Sequence, residues 1–99
     1  MSVLMVRAKV KPEHVQELDV AAERMFAAIE KLAPEGIRYA SGRLPDGVTY
    51  VALLQVNDGV ENPLPALPEF QAFQAGLQSW VSEPPAAEPL AIVGSYRFA

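Results

Sequence analysis

Few side chains in this 99-residue chain have the type and spacing to do chemistry. His14 is the sole histidine and there is no cysteine, so the sequence offers no thiol nucleophile, no disulfide framework and no thiolate metal site. A charge-relay hydrolase would need His14 beside a serine and a carboxylate. The sequence instead places it in the first turn of a long helix, as a solvated side chain. His14 and Glu17 lie three residues apart and could touch one metal ion, but two ligands do not make a site and a helix N-terminus repels a cation. We therefore expect no metal. The six glycines are scattered, so there is no glycine-rich phosphate loop.

Three residues stand out as candidates for ligand binding: Trp80, Tyr50 and Arg38. Trp80 is the only tryptophan. It either fills core, as apolar helical stripes usually do, or forms a stacking wall for an aromatic ligand with its indole N–H as donor. Tyr39, Tyr50 and Tyr96 fall in strand-like segments, where packing alone explains their type and a buried hydroxyl would need a partner. If Pro45–Gly47 is the whole of a hairpin loop, Arg38 pairs with Leu54 and shares a face with Tyr50. On that otherwise apolar face an arginine either snorkels outward or holds an anion. Arg7 and Arg43 pose the same question on their strands, and Asn57 has the type of a turn starter. No catalytic residue is identifiable by spacing.

The elements that must position these residues are well marked. Val15, Leu18, Ala22, Met25, Ile29 and Leu32 recur at three and four, which predicts one long amphipathic helix over Glu13–Leu32. Pro12 suits its first turn, and Pro34 with Gly36 stops it. Val3–Lys11 alternates as a strand; Ile37–Leu44 and Val48–Val56 form a hairpin about Pro45-Asp46-Gly47. Glu61–Leu67, with Pro63 and Pro65, reads as an ordered loop. Pro68 opens a second helix carrying Phe70, Phe73, Leu77 and Trp80, and Glu83-Pro84-Pro85 closes it. The chain to Pro89 reads as extended, and Leu90–Phe98 as a fourth strand. The order β-α-β-β-α-β over residues 1–99 is one α+β domain of ferredoxin-like pattern: a four-stranded antiparallel sheet with both helices on one face.

Two helices cover only one face of that sheet, yet Val51 and Leu53 make the second face of the third strand apolar too. An uncovered patch of that kind predicts a homodimer through the sheet faces. Composition agrees, since 51% hydrophobic residues is rich for so small a domain. The net charge of −4 argues against nucleic acid, and no apolar run reaches a membrane span. With no signal-peptide pattern, a cytoplasmic location is expected.

Element order, the Lys11-Pro12 start of the long helix, the Pro-Asp-Gly hairpin, the short second helix and the ending Gly94-Ser95-Tyr96-Arg97-Phe98 together resemble the dimeric α/β-barrel superfamily, in particular its antibiotic-biosynthesis-monooxygenase-like group. The resemblance implies a homodimer with a pocket between sheet and helices in each subunit. Enzymatic members oxidise quinols or polyketide aromatics with dioxygen and no cofactor. A haem-degrading branch uses an asparagine on the first strand, a tryptophan after the third and a histidine on the second helix. None of these has a counterpart here, so no haem is expected. The expected function is that of a cofactor-independent monooxygenase-like protein acting on a small quinol or polyketide-type aromatic. The alternative is a small-molecule-binding or accessory protein of the same fold that performs no chemistry, or a subunit whose role is assembly alone.

Overall fold

Alternation along β1 (Ser2–Lys9) and β3 (Thr49–Val56) decides which way the sheet faces. In the computed structural model, which describes residues 2–97, the two strands pair antiparallel with Leu4 opposite Leu54, Val6 opposite Ala52 and Ala8 opposite Tyr50. That set forms the inner face. Val3, Met5, Val51 and Leu53 form the outer one, because successive side chains of a strand point to opposite faces. With β2 (Ile37–Arg43) beside β3 and β4 (Ala86–Pro89) beside β1, the sheet has the order β2-β3-β1-β4, antiparallel throughout. This is the α+β ferredoxin-like arrangement that the patterning predicts.

Both helices lie against the inner face. Pro12–His14 makes one 3-10 turn, and α1 (Val15–Leu32) continues from it. Leu18 and Met25 on its stripe are fully buried, whereas Leu32 at its end is half exposed. Burying a side chain of that size contributes about 1.5–3 kcal/mol. The helix ends with Ala33 in the left-handed region (φ 48°), its N–H bonded to the Ile29 carbonyl. The loop before α2 (Pro68–Trp80) holds a short 3-10 turn, Leu64–Ala66, whose Leu64 is fully buried. From α2, Phe73 and Leu77 join Ala8, Val10, Leu18 and Met25 in the core.

The fourth strand departs from expectation. It lies at Ala86–Pro89, and Leu90–Arg97 is exposed, with Ala91–Arg97 unpaired and Val93 and Tyr96 largely in solvent; Phe98 falls outside the described residues. Register explains the shift. On leaving α2 the chain meets the end of β1 at once, with Val10 bridged to Val81 and the Ser82 N–H on the Lys9 carbonyl. It then runs back along β1 until Leu90 bonds the carbonyl of Val3. By that point β1 is used up, so later residues have no partner strand here, whatever their β propensity. An edge position also accommodates Pro89, since a proline cannot donate to a ladder.

Candidate functional site

Small residues facing large ones create the site. Ala8, Ala52 and Ala87 on the sheet oppose Leu18 of α1 and Phe73 and Leu77 of α2, and the mismatch leaves an open cleft of about 370 Å³. That is within the range of small-molecule sites. Tyr39, Ser41 and Tyr50 complete the sheet wall, and Gln74 and Gln78 stand on the helix wall. Among the described residues, no charged side chain lines it. Tyr39 is held in place by its ring contact with Phe26 of α1, the centroids 5.1 Å apart and tilted by 30°. Its burial raises the phenol pKa, so the hydroxyl stays neutral.

Of the three candidates from sequence, only Tyr50 lines this cleft. Trp80 sits on the other side of α2, half-buried in the groove between the helices with Ala21 and Arg24. Its indole folds back onto its own helix at Gly76: a Cβ there would come within 2.5 Å of the ring. The glycine thus leaves room for the tryptophan to lie along the helix surface.

Arg38 corrects the expected register. The hairpin loop runs through Pro45–Val48, one residue longer than the Pro45–Gly47 turn, because the Leu44 N–H bonds the Thr49 carbonyl. Asp46 builds this longer loop. Its carboxylate accepts from the Val48 and Thr49 N–H groups at 3.0 and 2.9 Å and from the Thr49 hydroxyl at 2.5 Å. These bonds, led by the Thr49 hydroxyl, lower the Asp46 pKa. A one-residue change of register moves every side chain of β2 to the other face. Arg38 therefore pairs with Gln55 and lies on the outer face, where it borders a shallow hollow with Val3, Leu53 and Ile92. Arg43 pairs with Tyr50 in its place.

At the lip of the cleft, Arg43, Tyr50 and Asp19 tie β2, β3 and α1 together. The Tyr50 hydroxyl donates to one Asp19 oxygen, and Arg43 Nη2 donates to the other. Arg43 also donates to the Tyr50 oxygen, from Nε at 3.0 Å and from Nη2 at 2.7 Å. The hydrogen bond from Arg43 is the main cause holding the Asp19 carboxyl below its usual range, aided by the Tyr50 hydroxyl. Desolvation, then the bond to Asp19, pushes the Tyr50 phenol up to about 12. The bonds to Asp19 and Tyr50 raise Arg43 further. Tyr50 thus donates once and accepts twice, which leaves its hydroxyl little capacity for a ligand while the latch is closed. Asp19 is not among the candidates that type and spacing single out. The available signal was its position beside Leu18 and Ala22 on the buried stripe.

His14 lies away from the cleft, its Nδ1 3.0 Å from Glu17. Among the described residues there is no group of three or more His, Cys, Asp or Glu side chains that could hold a metal ion, and no helix is long and apolar enough to cross a membrane.

An α+β sandwich with an apolar cleft between sheet and helices is the class that these features define. No family model matches the sequence, and no curated protein matches it. Solved structures do match over nearly the full length. A Nitrosomonas europaea protein provisionally named an antibiotic biosynthesis monooxygenase has 15% identity and a TM-score of 0.74, over 95% of this chain and 100% of that one. Rv0793 of Mycobacterium tuberculosis has 18% identity and a TM-score of 0.73, over 95% and 96%. A variant of SnoaB, a cofactor-independent oxygenase from Streptomyces nogalater, has 16% identity and a TM-score of 0.70, over 95% and 94%. The chain therefore has the fold of the antibiotic-biosynthesis-monooxygenase-like proteins.

Proposed function

We propose that the cleft binds a small aromatic molecule of quinol or polyketide type, and that the chain is a monooxygenase-like protein working without a cofactor. The observation that carries this reading is the cleft itself. It is apolar, of ligand size, and walled by Tyr39, Tyr50 and Phe73, in a fold shared with a cofactor-independent oxygenase. In such a reaction an activated ring CH₂ and O₂ give a ring carbonyl and water; the substrate supplies all the electrons. A second reading, binding with no chemistry, is favoured by the lip. Tyr50 is held protonated to about pH 12 and Asp19 is engaged by two donors, so neither is a ready base near neutrality. The two are separated by oxygen uptake with anthrone-type substrates. Uptake of one O₂ per carbonyl formed, dependent on the protein, supports the oxygenase. Saturable binding with no uptake selects the binding protein. No saturable binding of any aromatic refutes both.

The outer sheet face supports a homodimer in the same reading. Val3, Met5, Val51 and Leu53 are only half covered in the single chain, and Ile92 lies beside them. Burying them against a second copy would remove an apolar patch from water. Light scattering on the purified protein should give twice the chain mass, and Leu53→Glu should shift it to one; a wild-type monomer at micromolar concentration refutes the dimer.

A further inference from the structure

The hydrogen-bonding groups of the cleft differ from those of its lip. At the lip every charge is spent internally: Asp19 neutralises Arg43, and both are bonded to Tyr50. Inside, the polar groups are all uncharged. Gln74 and Gln78 are four residues apart on α2, so both carboxamides rise on the one helix face that overlooks the cleft. Neighbouring Gln71 donates its amide to the Pro65 carbonyl at 2.8 Å, whereas Gln74 and Gln78 have no protein partner among the described residues. Across from them, the Tyr39 and Ser41 hydroxyls are likewise without a partner. Two carboxamides and two hydroxyls supply donors and acceptors on both walls of an otherwise apolar slot.

We propose that Gln74 and Gln78 recognise the oxygen substituents of a neutral, hydroxylated aromatic ligand in the cleft, with Tyr39 and Ser41 serving its opposite edge. This rests on the aromatic-binding reading above and adds the ligand's charge and the residues that select it. A carboxylate or sulfonate on the ring would enter a slot with no cation to meet it, because the guanidinium at the lip is already paired. A hydroxyl or carbonyl would find a partner on either wall at no cost in buried charge.

Calorimetric titration at pH 7 with three two-ring probes tests this: naphthalene-1,5-diol, 1-naphthoate and naphthalene. The wild type should bind the diol more tightly than naphthalene, and naphthoate no more tightly than naphthalene. Gln74→Leu and Gln78→Leu should each weaken the diol about two- to tenfold, the range of one neutral hydrogen bond, and leave naphthalene unchanged. Both positions are exposed, so the melting temperature should hold. The paired Met variants repeat the measurement with unbranched side chains. Equal wild-type affinity for diol and naphthalene, or variants that keep the diol affinity, would overturn the glutamine assignment and leave the aromatic cleft standing. Naphthoate as the tightest probe would overturn the neutrality argument. If the wild type binds none of the three, the aromatic cleft falls, and this inference with it.

Discussion

Tyr50→Phe is the most informative perturbation, because it deletes one oxygen from the latch and leaves the ring that lines the cleft. The hydroxyl donates to Asp19, and a hydrogen bond to a charged group is worth about 1.5–3 kcal/mol. The Asp19 side chain is 42% exposed, so solvent screening reduces this to about 1 kcal/mol. For a domain of this size that corresponds to a fall in Tm of about 4–8 °C. A double-mutant cycle with Asp19→Asn isolates the pair, since each substitution also disturbs Arg43. Urea denaturation of the four proteins at pH 7 should give a coupling energy near 1 kcal/mol, by the same reasoning. The pH dependence gives a second readout. Asp19 is depressed below 3.8 in the folded state, so its contribution is complete above that value and is lost as pH falls through the lower folded pKa. Tyr50 is raised from 10.0 to about 12, so its contribution is complete below 10.0 and is lost as pH rises through about 12. The wild-type advantage over Tyr50→Phe should thus be widest between these limits and narrow at both ends. Additive single effects, with coupling under about 0.3 kcal/mol, or a pH-independent difference, would refute the latch.

Other consequences concern the core, a helix end and the two displaced candidates. Met25→Ala should cost about 2–5 kcal/mol in denaturant unfolding, because Met25 is fully buried between α1 and the rest of the core. Ala33→Gly should stabilise the fold by about 0.5–1 kcal/mol, read as a higher Tm, since the left-handed conformation at φ 48° strains a side chain that glycine lacks. Arg38→Ala and Trp80→Ala should each leave aromatic affinity in the cleft within twofold, because neither residue lines it; a tenfold loss in either variant would contradict the assignment of the site.

Sequence alone determined the two helices, the first three strands and most of the core. The three-and-four spacing of Val15, Leu18, Ala22, Met25 and Ile29 leaves a helix only one way to hide them, and Phe73 with Leu77 does the same for α2. Alternation in β1 and β3 likewise carries its own face assignment. What tertiary structure decided was parity and reach. Arg38 and Arg43 are both arginines on one strand, and which of them shares a face with Tyr50 depends on a single loop residue fixed by the bonds of Asp46. No spacing pattern within β2 contains that information. The fourth strand was set by where β1 ends, so Ala86–Pro89, with weak strand propensity, pairs while Ala91–Arg97 does not. Asp19 and the glutamines Gln74 and Gln78 became visible only when α1 and α2 settled on the sheet. Each is an ordinary polar helix residue until a second element, far away in the chain, supplies the partner or the cavity that it faces.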